Sequence, residues 1–219
     1  MATGLMAMLP AKPGMFVLGD SISIHYGPHL AKFLYGTVEM EQKQAETING
    51  KKFSRNGGDS RRVLAYLSEK LEQPGFKPDY MLLNCGLHDI GYDSITHKLK
   101  VPADEYRHNL EKIFTMIRKK KISIIWVTTT PVVDSIHNSR IKELQRYAKD
   151  LAQYNQIAAE LCLKYAVNTI DLHDFTLKLG NDAYIDNVHY KEGIRELQAA
   201  YIAGALKEII KEKTNGIAK

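Results

Sequence analysis

Short apolar runs recur along the chain, and almost every one gives way to a stretch with helical spacing. This alternation limits the fold more than any other feature of the sequence. Met15–Leu18 stops at Gly19, and a helix is expected from Ile22 to Tyr35. A short edge strand is expected around Thr37–Met40, and a second core strand over Phe53–Asn56. Val63, Leu64, Leu67 and Leu71 then keep a helical period. Asp79–Cys85, bounded by Pro78 and Gly86, reads as the next strand, and Tyr106, Leu110, Ile113, Phe114 and Ile117 as the next helical face. Ile122–Thr128 is nearly all β-branched or aromatic, and Pro131 stops it. One long helix is expected from Ile141 to Tyr165, a strand at Val167–Ile170, and a last helix from Ile194 to Ile210. Strands alternating with helices in this way form right-handed βαβ units. The expected fold is therefore α/β: a single domain of three αβα layers, with a flavodoxin-like parallel sheet of about five strands covered by helices on both faces.

Composition narrows the function classes. Thirty Lys and Arg against 25 Asp and Glu leave a net charge of +5. That is too mild, and too scattered, for a nucleic-acid-binding protein. No apolar run approaches the ~18–20 residues that span a membrane. Cys85 and Cys162 both lie in apolar runs and read as buried thiols, which fits a reducing, cytoplasmic setting. Residues 1–14 read as a loose leader with no basic n-region, and secretion would require them to act as an atypical signal. The domain is expected over 15–219.

In such a sheet, function gathers where strands end. Gly19-Asp20-Ser21 follows the first strand, and Gly58-Asp59-Ser60 repeats the tripeptide before another helix. Either serine is a plain helix N-cap or a nucleophile backed by a helix N-terminus. The tripeptide alone does not choose between them. A serine hydroxyl needs a base, usually histidine, whose other ring nitrogen is fixed by an acceptor. His189 with Asp186 three residues earlier meets that need, or is an exposed loop histidine beside an unrelated acid. Gly57-Gly58 offers bare backbone N–H, or only a turn. His88 follows the buried strand and Gly86, as a rim residue or a donor into the same pocket. A metal held by His88, Asp89, Asp186 and His189 lacks the ligand spacing of known motifs. No cofactor is expected.

Taken in order, these residues resemble the SGNH hydrolase superfamily, also called GDSL esterases or lipases. Phe16-Val17-Leu18-Gly19-Asp20-Ser21 is similar to its first block and Asn56-Gly57-Gly58-Asp59-Ser60 to its second. Gly86-Leu87-His88-Asp89 is similar to its third, and Asp186-Asn187-Val188-His189 to its fifth. The resemblance implies Ser21, Asp186 and His189 as catalytic residues. It implies an oxyanion hole from the N–H groups of Ser21 and Gly58 and the side chain at position 88. There the sequence departs from the pattern, with histidine where the family has asparagine. Thr128-Thr129-Thr130-Pro131 fits a fourth, looser region, and His137, Asn138 and Arg140 follow on an expected loop. Asp20, Asn138 and Arg140 are the candidate substrate contacts.

The function so implied is hydrolysis of short-chain carboxylic esters, including O-acetyl groups on carbohydrate. The partner is a small-molecule or carbohydrate ester, with no nucleic acid and no membrane span. Two other classes share the same residues: an acyltransferase using the same acyl-enzyme, and a non-catalytic carbohydrate-binding relative.

Overall fold

A computed structural model of the chain describes residues 11–217. Its centre is a five-stranded sheet of β1 (Gly14–Leu18), β2 (Glu39–Gln42), β3 (Tyr80–Leu83), β4 (Ser123–Val127) and β5 (Asn168–Ile170). All four pairings are parallel, and the spatial order is β2-β1-β3-β4-β5. The three middle strands are buried almost throughout, which is why they read as unbroken apolar runs rather than alternating ones. β2 lies at the edge and shows half-exposed alternation.

Among the described residues seven α-helices surround the sheet: α1 (Ser21–Phe33), α2 (Ser60–Lys70), α3 (Ala103–Lys119), α4 (Asp134–Arg140), α5 (Ala148–Lys164), α6 (Leu172–Leu177) and α7 (Glu192–Ile217). On one side α1 packs against α7, and α7 against α6; on the other, α3 lies between α2 and α5. The core runs from Phe16, Val17 and Leu30 through Met81, Leu83 and Phe114 to Trp126, Leu161 and Leu206. The chain order reverses between β1 and β3, the switch point where parallel sheets of this kind open a crevice.

Several expectations need correction. The segment Phe53–Asn56 is not a core strand: Lys51–Phe53 pairs with Glu46–Ile48 in a separate hairpin. Asn49 and Gly50 both take positive φ, at 50° and 77°, the two-residue turn that Asn-Gly favours. The edge strand lies at Glu39–Gln42, two residues beyond its expected place. The expected helix from Ile141 to Tyr165 is two elements. α4 has already ended at Arg140, Leu144–Gln145 pairs with Tyr92–Asp93 in a small antiparallel sheet, and α5 starts only at Ala148. Asn138 explains the break: its Oδ1 accepts from Arg146 N at 2.9 Å and its Nδ2 donates to Arg146 O at 2.9 Å. A residue so captured is held out of a helix. Of the expected leader, residues 1–10 lie outside the described residues. Gly14, however, is already in β1, and its N–H donates to Asp79 Oδ2 at 2.7 Å.

Candidate active site

Asp20 leaves β1 in extended conformation and caps α1, its Oδ1 accepting from Ile22 N at 2.9 Å. Ser21 is therefore the first residue of the helix, and its N–H has no hydrogen-bond partner among the described residues. Asp20 was a candidate substrate contact; instead it is 2% exposed and serves as the N-cap. The same cap fixes where the Ser21 hydroxyl stands.

Before α7 the chain forms a tight loop. Asp186 Oδ1 accepts from Val188 N at 2.9 Å and His189 N at 2.7 Å, while its Oδ2 meets His189 Nδ1 at 2.7 Å. Burial opposes the charge on Asp186, but these three donors outweigh it and hold the carboxyl at about 2. An ionised carboxylate only accepts, so the proton of a neutral His189 sits on Nδ1. Nε2 then offers its lone pair to Ser21 Oγ, 2.9 Å away. The three side chains form one chain of contacts, acid to imidazole to hydroxyl.

Burial separates the two copies of the tripeptide. Ser60 is fully buried, its N–H donating to Asp89 Oδ1 and Oδ2 at 2.9 and 3.1 Å, and its Oγ accepting from Asn109 Nδ2 at 3.0 Å. Its hydroxyl is closed off from solvent. Asp89 thus ties the loop after β3 to the start of α2. Burial is the main influence on its carboxyl and pushes it up to about 7, against the opposing Ser60 donors. A raised carboxyl favours folding at acid pH, and that contribution fades as pH climbs from ~4 toward 7. Among the described residues no three His, Cys, Asp or Glu side chains are grouped to hold a metal.

The glycine loop after the hairpin packs tightly on the first strand's end. Gly57 N donates to Gly19 O at 2.9 Å, and a Cβ on Gly57 would stand 2.8 Å from that oxygen. Glycine is required there by contact. Gly58 N–H, expected to be free for a ligand, instead donates to Asn56 Oδ1 at 2.8 Å. It serves an oxyanion only if Asn56 releases it.

His88 lies on the turn closed by Asp89 N and Ile90 N, which both donate to Gly86 O. Its ring has no hydrogen-bond partner among the described residues. Burial, with Arg146 and Lys100 nearby, lowers its pKa against the pull of Asp20 and Asp59, so the ring is neutral and keeps one N–H. His25, one turn past Ser21 on α1, packs its ring on His189, with centroids 4.7 Å apart. Its buried Nδ1 has no partner, and burial first, then Arg195, lowers its pKa. The i, i+4 spacing from Ser21 was its only signal in the sequence.

The expected loop carrying His137, Asn138 and Arg140 is helix α4. His137 is fully buried, and Asn138 is spent on Arg146. Arg140 is exposed at the helix end. The residue of this region that reaches the site is Arg146, which was not singled out. Its Nε donates to Leu87 O at 2.7 Å, one residue before His88.

The GDSL-like lipase/acylhydrolase family model matches residues 17–192. Among solved structures, an acetyl xylan esterase superposes with a TM-score of 0.65 at 17% identity, covering 87% of this chain and 98% of its own. An acetyl-xylooligosaccharide esterase from a Geobacillus gives 0.65 at 17%, covering 88% and 93%. A lipase/acylhydrolase from Enterococcus faecalis gives 0.63 at 18%, covering 89% and 95%. At such identities the likeness is one of fold. No curated protein matches the chain.

Proposed function

The chain belongs to the GDSL-like lipase/acylhydrolase family of serine ester hydrolases, and on that premise we propose that it cleaves short-chain carboxylic esters through an acyl-enzyme on Ser21. The observation that carries this reading is the continuous contact from Asp186 Oδ2 to His189 Nδ1 and from His189 Nε2 to Ser21 Oγ, at 2.7 and 2.9 Å. Ser21 Oγ attacks the ester carbonyl as His189 Nε2 takes its proton. The carbonyl oxygen becomes an oxyanion, and the Ser21 N–H at the start of α1 and the His88 N–H receive it. His189 returns the proton to the departing alcohol. A water then repeats the attack on the acyl-serine, with His189 again as base, and the acid leaves.

A short acyl group, above all an O-acetyl group on carbohydrate, is favoured by the fold likeness to an acetyl xylan esterase and an acetyl-xylooligosaccharide esterase. The test is p-nitrophenyl ester kinetics over increasing acyl length. Expected are a burst, sustained turnover, and the highest kcat/KM at acetyl or propionyl. A burst that stalls points to a transferase lacking its acceptor. The absence of any burst, with Ser21 unlabelled by a fluorophosphonate, overturns the reading.

His88 stands in for the family's asparagine in this scheme. His88→Ala is expected to lower kcat by about 10²–10³, the usual loss for one oxyanion donor, with KM little changed. His88→Asn restores an uncharged donor and recovers part of the loss. Full kcat in His88→Ala would leave the oxyanion to backbone N–H alone.

A further inference from the structure

Arg146 is a buried cation that no acid touches. It is 7% exposed, and no carboxylate lies within 4.0 Å of it among the described residues. Its Nε is spent on the Leu87 carbonyl, at 2.7 Å. Its Nη1 meets His137 Nε2 at 2.7 Å, and arginine can only donate, so His137 accepts. The proton of His137 is then on Nδ1, where Asn138 Oδ1 accepts it at 3.1 Å. Burial and the guanidinium itself lower the His137 pKa, so the partner of Arg146 is a neutral ring. Three N–H bonds at the Nη1/Nη2 end remain without a protein acceptor.

A guanidinium in this state is costly to bury, and its charge is left unneutralised by the fold. By contrast, Lys100 near the same loop is already met by Asp59 Oδ2 at 2.9 Å. The surroundings place Arg146 at the rim of the nucleophile. It holds the carbonyl that precedes His88, and Asp20, beside Ser21, is the acid that acts on it through space. The fork geometry of arginine suits two parallel hydrogen bonds to a carboxylate.

We propose that Arg146 is a substrate-recognition residue that receives a carboxylate, and that the natural ester carries such a group on its acyl or its alcohol portion. This inference rests on the ester-hydrolase reading above, and it deepens that reading by naming a substrate class. His137 and Asn138 are positioning residues in this scheme. They hold the guanidinium without neutralising it.

Two measurements test it. The first compares kcat/KM for matched neutral and anionic esters: p-nitrophenyl acetate against p-nitrophenyl hemisuccinate for the acyl side, and phenyl acetate against 3-acetoxybenzoate for the alcohol side. At low salt the native protein is expected to prefer the anionic member of one pair. That preference, taken as a ratio, is expected to fall about 10- to 100-fold in Arg146→Met, the range of a charge-assisted pair, mainly through KM. The ratio is read because the Leu87 contact ties Arg146 to the His88 turn, and turnover of both esters can fall together.

The second measurement is calorimetric binding of succinate, with inorganic phosphate and succinamide as controls. Succinate is expected to bind the native protein and not Arg146→Met. Arg146→Lys, which keeps the charge and loses the fork, is expected to bind it weakly and covers the case in which Arg146→Met does not fold. No charge preference in either pair together with no succinate binding overturns the proposal, as does a preference or binding that survives in both Arg146 variants. Tighter binding of phosphate than of succinate overturns the carboxylate assignment. If no ester is turned over at all, the hydrolase reading fails on its own, and succinate binding still decides whether Arg146 is an anion site.

Discussion

Ser21→Ala is expected to remove esterase turnover, by at least about 10⁴-fold in kcat, and to leave the far-ultraviolet circular dichroism unchanged. Triad members act as a unit, so losing the nucleophile costs nearly as much as losing all of them. The fold has little stake in the hydroxyl. The cap of α1 comes from Asp20, and Ser21 Oγ has its contact with His189 Nε2. A fluorophosphonate should label the native protein at one position and the variant at none. Ser60 provides the control: it is buried against Asn109 and Asp89, so Ser60→Ala should keep the labelling and most of the turnover. Labelling mapped to Ser60 would overturn the assignment.

The second large effect separates the imidazole from its carboxylate. His189→Ala is expected to cost about 10⁶-fold in kcat, and Asp186→Asn about 10⁴-fold. The asparagine change is informative because of how Asp186 divides its oxygens. Oδ1 receives the N–H groups of Val188 and His189, and an amide oxygen can keep both. The amide nitrogen then faces His189 Nδ1 where Oδ2 stood, donor against donor. The ring must give up its Nδ1 proton and carry it on Nε2, leaving no lone pair for Ser21. The loop should hold its shape while the base is inverted. In the native protein the carboxyl, held at about 2, stays ionised across any ordinary assay pH, and its contribution to stability is lost only as pH falls from ~4 toward 2. A loss under tenfold in Asp186→Asn, measured as kcat/KM on p-nitrophenyl acetate, would contradict this division of roles.

Much of the sheet was legible because its middle strands are apolar on both faces. Runs such as Tyr80–Leu83 and Ser123–Val127 leave no polar alternation to confuse. The hairpin at Asn49-Gly50 was missed: its strands are polar and short, and the apolar Phe53 drew the expected strand to Phe53–Asn56. The break between α4 and α5 was not. Apolar spacing runs on from Ile141 to Tyr165 because Leu144 faces the small antiparallel sheet, where a helical period and a bridging strand leave the same mark. The decisive side chain was Asn138, which takes the backbone of Arg146, and no local pattern announces a partner eight residues away. The site followed the same division. The ordered blocks pointed to Ser21, Asp186 and His189, which the structure brings into contact. Arg146 and His25 carried no motif, since their placement depends on how α4 and α1 pack.

The contact between Ser21 and His189 spans 168 positions of the chain. Bringing such distant segments together carries a loop-closure entropy that local helix formation does not. The base arrives on the loop that leads into α7, and α7 is seated against α1, where His29 Nε2 meets Glu192 Oε1 at 2.8 Å. A refolding chain can therefore recover most of its helix, and even its central strands, while its serine still has no base. In this architecture the return of ester cleavage times the closure of the longest loop, and ellipticity times something earlier.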